Sequence, residues 1–446
     1  MSLIVSKFGG ISLADAESIK RTADIIMSDP SRRYVVVSAP GIRSGDEIRV
    51  TDMFYICHAR YGNRENFTEM LDKIEARYNE IIDGLGINFD MHSMITDLKK
   101  NLFLGRTNEY IVSRGEYIMG RIMAEYLGWE FVDAAQVIIF NRDGTLNAEK
   151  SIAAAQEVLS RTEHAVVPGF YGTVSGNNIK TFERGGGDAT GAVIARAMNA
   201  DVYEKWAEAT EIFSADPAIV PNPEIIRNIT YAELKELTYM GIKIVYEDVI
   251  LLMHDTGIPI RIRNIHHPDD RGTLITEELP PDSRRGVAAC VAGRRKYKVI
   301  HIHKFGLNRT VGIGRKVFGI FSDRNISCEH YLSGIYQFSI AVKNPMFDLK
   351  RAEILKELED AIKPESIEVR KDLSVIAVIG QGMGTVHGIF ARIFDALADA
   401  HIKVRLIEQG GDDLNILLGV YDEDFENAVR AIYDTVITHG TDAEAQ

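Results

Sequence analysis

Apolar residues recur along this chain in two rhythms. In "LIVSKFGG" and "RYVVVSAPG" they form short runs closed by glycine or proline, as in strands buried within a sheet. In "SLADAESIKRTADIIMSD" they fall three and four apart with polar residues between them, which predicts an amphipathic helix. Helical patterns fill roughly 52–127. "EFVDAAQVIIF", "HAVVPGFYG" and "IPIRIRNI" read as further strands, and "GDATGAVIARAMNA" reads as a helix running into "DVYEKWAEA". Residues 224–257 read as helical. Strands alternating with helices predict an α/β fold with a mostly parallel sheet covered on both faces.

Beyond "DRGTLITEELPPDSRRG" the texture changes. "KVIHIHKFGLNRTVGIGRKVFGIFSDRNISCEHYLSGIYQFSIAV" and "LSVIAVIGQGMGTVHGIFARIFDALADAHIKVRLIEQGGDDLNILLGV" follow one plan: strand, glycine-containing loop, helix, strand, polar turn, strand. Such an internal repeat predicts paired small α+β modules, about 300–365 and 372–442. Pro280 and Pro281, with charge on both sides, mark a boundary between a first domain, 1–282, and a second region, 285–446.

A length of 446 residues fits two or three domains. The formal net charge of -13 argues against broad nucleic-acid binding. The three cysteines, Cys57, Cys290 and Cys328, are scattered without metal spacing, which suits a reducing compartment. Apolar runs such as "DVILLMHD" stop well short of a membrane span, and the N-terminus does not read as a signal peptide. The expectation is a cytoplasmic protein with no membrane or nucleic-acid partner.

Candidate chemistry gathers where apolar runs end. Lys7 precedes Gly9 and Gly10; "SAPG" covers 38–41, "PGFYG" 168–172 and "RGGGD" 184–188. In an open parallel sheet such loops lie at the carboxyl edge, where ligands bind. Four of them can accept a polyphosphate, with Lys7 and Arg184 offsetting charge during phosphoryl transfer and Asp188 as a metal or orienting group. Glu116 in "SRGEY" reads as lying near the start of a helix, either as a cap or as a receptor for a substrate ammonium. The pairs His301/His303 and His266/His267 have no third ligand at fixed spacing, so no metal site follows from them.

The ordered set "KFGG-S", "VVSAPG", "SRGE", "VVPGF.G", "RGG.D.TGA", "ADP", "ELTYMG", "IPIRIRN" and "GTLI" resembles the aspartate kinases of the amino-acid kinase superfamily. The tail resembles their two regulatory ACT modules, and the match covers nearly the whole chain. The resemblance implies ATP- and Mg2+-dependent phosphorylation of the L-aspartate side-chain carboxylate, the first step towards lysine, threonine and methionine. It places Lys7, Gly9 and Gly10 on the phosphate-contacting turn, Glu116 on the substrate amine, and Arg184 on a substrate carboxylate. Ser38, Phe170 and Gly187 fall about the substrate. Asp188 falls beside the transferred phosphoryl group, and Ala207, Glu208, Phe213, Asp216 and Lys243 fall about the nucleotide. Ser333, Gln409, Gly411, Asp412 and Asn415 match effector pockets, for lysine or threonine, and ACT pairing across subunits implies a homodimer or higher homo-oligomer.

Departures from the family pattern cluster at the same places. Gly187 stands for a serine and removes a hydroxyl expected near aspartate. "WAEATE" stands for "WTDVSG", so that Ala207, Glu208 and Glu211 replace threonine, aspartate and glycine. Phe213, Ala218 and Tyr246 also differ, and Gly411 and Asp412 replace two serines. These keep two alternatives open: a non-catalytic amino-acid-sensing homologue, and a kinase of another small carboxylate.

Overall fold

The computed structural model describes residues 2–174, 178–183, 185–208, 211–242, 244–281, 283, 286–343 and 345–438. Arg184 and Lys243, for which roles are expected above, lie outside the described residues. The chain forms two compact units. Among the described residues no helix is long and apolar enough to cross a membrane.

The first unit comprises Met1–Ile212, Ile226–Thr238 and Lys243–Ser283. Its strands are β1 (Ile4–Phe8), β2 (Arg32–Val37), β3 (Glu130–Phe131), β4 (Ala165–Pro168), β5 (Tyr171–Val174), β6 (Asn178–Thr181), β7 (Val202–Ala207), β8 (Asn228–Thr230), β9 (Ile260–Asn264) and β10 (Thr273–Thr276). An eight-stranded sheet runs β3-β4-β2-β1-β7-β9-β10-β8, while β5 and β6 pair separately. From β3 to β9 every pairing is parallel, and only β9–β10 is antiparallel. The short connection between β9 and β10 permits that reversal, because a parallel pair needs a long crossover. The mostly parallel α/β sheet expected from the apolar runs is the one observed.

Four helices, Val50–Gly62, Thr68–Leu85, Met91–Phe103 and Asn108–Leu127, occupy the region read as helical. They bury Phe54, Ile74, Tyr78, Ile111 and Met119 in one core with Phe8, Val35 and Val37 of the sheet. Local chemistry sets their ends: Asp90 and Thr107 accept the backbone N–H of Ser93 and Tyr110, satisfying donors that the helix leaves open. The same chemistry shortens a predicted strand. In "EFVDAAQVIIF" only Glu130–Phe131 forms a strand, with isolated bridges at Ile139 and Phe140, because Asp133 accepts from the Ala135 N–H and starts the one-turn helix Ala134–Val137. The region 224–257 likewise contains a strand, β8, before its helices Tyr231–Tyr239 and Glu247–Met253.

The second unit comprises Phe213–Ile225, Tyr239–Ile242 and Arg284–Gln446. Its strands are β11 (Cys290–His303), β12 (His330–Ser333), β13 (Gln337–Val342), β14 (Ser366–Ile379), β15 (Leu406–Gln409) and β16 (Asn415–Tyr421). They form an antiparallel sheet, β12-β13-β11-β14-β16-β15. The two 14-residue strands β11 and β14 are shared. Lys298–His303 pairs with β13 and builds the first module, whereas Cys290–Arg294 pairs with Val375–Ile379, the half of β14 that also pairs with β16. The cores divide the same way. Val287, Ala288 and Val291 pack with Ile376, Leu418 and Phe425, while Ile300 and Ile302 pack with Phe321, Ile340 and Leu358. The first module is therefore an insertion within the second. The segment Phe213–Ile225 joins that second core through Ala215 and Val220, and the Ser214 carbonyl accepts the Val291 N–H at 2.8 Å.

A buried carboxylate ties the first sheet together. Glu204, 2% exposed on β7, meets Arg32 Nε at 2.7 Å, Arg263 Nη1 at 3.2 Å, Trp206 Nε1 at 2.9 Å and the Ser6 hydroxyl at 3.1 Å. Burial raises its carboxyl pKa, but these partners outweigh burial and hold it below the usual range. Its stabilisation is therefore present above the ordinary glutamate value of about 4.3 and is lost as pH falls through the depressed one. Glu204→Gln leaves Arg32 buried without a counter-charge and is expected to cost about 3–5 kcal/mol in urea denaturation at pH 7. The deficit should shrink as both proteins are taken towards pH 3.

Candidate active site

Register decides where the glycine loops meet. Phe8 is paired with Val37 on one side and Trp206 on the other, and Val37 is paired with Pro168. The carboxyl ends of β4, β2, β1 and β7 therefore lie level, as neighbours. The loops leaving them are stitched together: the Gly41 N–H donates to the Gly10 carbonyl at 2.7 Å, and the Gly169 N–H donates to the Val37 carbonyl at 2.8 Å. Phe170 holds φ +77°, an uncommon conformation for a side-chain-bearing residue, and its carbonyl accepts the Phe182 N–H at 2.9 Å.

Above this edge begins the helix Gly186–Ala197, preceded by Gly185 at φ +66°. A Cβ on Gly185 would lie 2.3 Å from the Tyr246 ring, so both the backbone angle and the space require glycine. The first turn carries Asp188, 3% exposed. Lys7 Nζ lies 2.7 Å from its Oδ1 and Lys205 Nζ lies 2.8 Å from its Oδ2. Lys7 and Lys205 are register partners on β1 and β7, so their side chains emerge on the same face. Two ammonium groups placed there repel each other, and Asp188 between them offsets that repulsion. Burial alone would raise the Asp188 pKa; the two lysines outweigh it and hold the carboxyl at about 2.

Glu116 is placed differently from the sequence expectation. It lies in the middle of the helix Asn108–Leu127, 5% exposed, so it is no exposed cap. Burial raises its carboxyl to about 7, opposed by the Ala39 N–H, Arg114 and Lys7, and its Oε2 has no hydrogen-bond partner. Glu116, Lys7, Asp188 and Lys205 thus form a series of alternating charge types. Gly187 lies against it: a Cβ there would stand 3.0 Å from Lys7 Cε and 3.4 Å from Ser38 Oγ. A side chain there requires the end of Lys7 to shift by a few tenths of an ångström.

The remaining expected residues are divided between the two units. Gly9 and Gly10 lie in the turn after Lys7, and the Gly9 N–H donates to the Trp206 carbonyl at 3.4 Å. Ala207 ends β7, and its carbonyl accepts from the Ile265 N–H at 3.0 Å. Glu208 Oε1 lies 3.1 Å from His266 Nε2, whose other ring nitrogen lies 3.4 Å from Arg21 Nη1. Phe213 and Asp216 belong to the second unit, where the Asp216 carboxylate accepts the Ala218 N–H at 2.9 Å. Among the described residues no group of three or more His, Cys, Asp or Glu could hold a metal ion.

In the second unit, Ser333 ends β12 and Gln409 ends β15, equivalent places in the two modules. Gln409 Nε2 donates to Asp413 at 2.8 Å and Asp412 accepts from the Leu414 N–H at 3.4 Å. Gly411 is exposed in that turn and Asn415 begins β16, 7% exposed.

Sequence reasoning passed over Lys205. In "VYEKWA" it reads as an ordinary polar strand residue, and only the pairing of β1 with β7 brings it to Lys7.

The fold and the sequence are shared with known proteins. A model of the amino acid kinase family matches residues 2–264, and an ACT domain model matches 376–436. The chain is 28% identical over 447 residues to aspartokinase 3 of Bacillus subtilis, covering 96% of this chain and 97% of the relative. It superposes on the crystal structure of Clostridium acetobutylicum aspartate kinase with a TM-score of 0.92 and 39% identity, covering 97% of this chain and 100% of that one. Escherichia coli aspartokinase III, solved in complex with aspartate and ADP, shares the fold with a TM-score of 0.71 at 24% identity, over 97% of this chain and 99% of that one. A kinase-family match across more than half the chain, with end-to-end similarity to an aspartate kinase, places this chain in the amino acid kinase family, among its aspartate kinases.

Proposed function

We infer that this chain catalyses ATP-dependent phosphorylation of the L-aspartate side-chain carboxylate to 4-phospho-L-aspartate, the first step towards lysine, threonine and methionine. The observation carrying this reading is the series Glu116, Lys7, Asp188 and Lys205, buried carboxylates beside largely covered lysines, at the level ends of four parallel strands. The chemistry needs no strong base, because the acceptor carboxylate, with a pKa of about 3.9, is already ionised at neutral pH. A carboxylate oxygen forms a bond to the γ-phosphorus as the bond to the β–γ bridging oxygen breaks, and ADP departs with that electron pair. Lys7 offsets the charge that redistributes over the transferred group. Glu116 receives the substrate ammonium; an unpartnered oxygen and a pKa near neutrality equip it for that contact.

Arg184 clamps a substrate carboxylate in this reading, with Ser38, Phe170 and Gly187 about the aspartate. Gly9, Gly10, Ala207, Glu208, Phe213, Asp216 and Lys243 serve the nucleotide. Magnesium enters with the nucleotide as MgATP. With Asp188 held between two ammonium groups, phosphate oxygens are the ion's natural ligands. Residues 1–282 carry catalysis and 285–446 regulation, in a cytoplasmic homodimer or higher homo-oligomer. Lysine is the proposed effector, bound about Ser333 and the 409–415 turn; the E. coli aspartokinase III structure with lysine and aspartate supports that choice.

The direct test traps the acyl phosphate with hydroxylamine. Product should require aspartate, ATP and Mg2+, and Lys7→Ala should lower turnover roughly 100-fold or more with an unchanged circular dichroism spectrum. A parent that forms no hydroxamate overturns the assignment.

Glu116 predicts a proton signature. An arriving ammonium favours its charged form, so aspartate binding near pH 7 should release protons, and binding at pH 9 should not. Calorimetry in buffers of different ionisation heat reads this directly, and Glu116→Gln should abolish the release. For the effector, calorimetric titration of the full chain should show lysine binding more tightly than threonine. Tight threonine binding without lysine binding overturns that choice.

A further inference from the structure

Lys205 has no part in the mechanism above, yet it is a buried ammonium group placed at the centre of the site. Its side chain is 13% exposed, with Asp188 Oδ2 at 2.8 Å, the Ile244 carbonyl accepting a hydrogen bond, and the Tyr246 ring centroid at 5.9 Å. Among the described residues, Lys7 on β1 and Asp188 on the helix Gly186–Ala197 are the charged groups facing it, and the Tyr203 hydroxyl fixes Asp188 by donating to its backbone carbonyl at 3.0 Å. Burying an ammonium is costly unless it is paired, and a purely packing role is better filled by an apolar side chain.

Charge counting gives the position its meaning. With Asp188 and Lys7 alone, the pair is neutral and the Lys7 ammonium is fully engaged. With Lys205 added, the trio carries one net positive charge, and Asp188 can stay ionised on Lys205 while Lys7 turns to an incoming anion. We propose that Lys205 is a positioning residue for phosphoryl transfer, holding the Asp188 carboxylate so that Lys7 is available to the transferred group. The proposal rests on reading the site as a phosphoryl-transfer centre.

The test compares the full-length parent with Lys205→Met and Lys205→Arg, measuring kcat, both Michaelis constants, the pH profile, thermal stability and MgATP affinity by calorimetry. Lys205→Met should lower kcat roughly tenfold to 100-fold while leaving the aspartate Michaelis constant within about twofold, and should weaken MgATP roughly tenfold. Burial and the neighbouring Lys7 ammonium make the Lys205 proton easier to lose than that of an ordinary lysine. The parent should therefore lose turnover at alkaline pH, and Lys205→Arg, which keeps its charge, should recover much of the kcat and move that limb upward. The parent and Lys205→Arg carry the comparison if Lys205→Met does not fold. Turnover within about twofold of the parent in Lys205→Met, or an alkaline limb unmoved in Lys205→Arg, overturns the proposal. A parent that binds MgATP without phosphorylating aspartate overturns the choice of acceptor instead. MgATP affinity then decides on Lys205, and an unchanged affinity in Lys205→Met rejects its role.

Discussion

Because β4, β2, β1 and β7 are hydrogen-bonded in that order, in parallel and with level ends, four loops from distant parts of the chain are delivered to one edge. Parallel strands need crossovers, and these bring helices over both faces. The strand interiors are accordingly apolar almost throughout. Polarity enters at a few fixed points, the Glu204 network within the sheet and the lysines near its carboxyl edge. A slip of one residue between β1 and β7 would turn Lys7 and Lys205 to opposite faces and leave Asp188 with a single partner.

That edge is organised around charge in a confined space. Register sets two lysines side by side, which is unfavourable until a carboxylate separates them. The helix that supplies Asp188 starts close against the Phe170 backbone and Phe182, where a Cβ on Gly186 would stand 2.7–2.8 Å from its neighbours. Glu116 approaches from another helix, unpartnered on one oxygen and poised near neutrality because burial opposes its ionisation. At similarly low exposure one carboxylate is strongly acidic and the other weakly so, because two ammonium groups beside Asp188 outweigh the burial that raises both.

Local signals were legible in the sequence and non-local ones were not. Glycine after an apolar run marks a strand end, so Gly9, Gly10 and Gly41 could be placed in loops; of the glycines read as the 184–188 loop only Gly185 precedes the helix, and Gly186 and Gly187 form its first turn. Helical spacing found the helices of 52–127. Lys205 stayed hidden because its role depends on which strand lies beside β7, and Lys7 is 198 residues away in sequence. Glu116 was visible as a residue type, but its burial depends on how Val50–Gly62 and Thr68–Leu85 pack against its own helix. Asp133 shortened a predicted strand by capping a helix turn, a choice that apolar periodicity does not register. The repeat in the tail was plain, yet its nesting was not. Cys290–Arg294 precedes the repeated pattern and finds its partner only after the first copy is complete.

That nesting has a consequence for how the protein is made. During synthesis Cys290–Arg294 leaves the ribosome before the whole of the first module, and its partner Val375–Ile379 follows roughly eighty residues later. The first module can close on contacts within 297–370, while Cys290–Arg294 still lacks its β14 partner and can meet only the earlier Ser214 carbonyl. Nascent chains therefore carry an open template for mispairing throughout translation of the inserted module, and neighbours on one polysome present the same edge to each other. The second module is obliged to finish last, and its completion is the step most exposed to chaperone supply and to the pace of elongation.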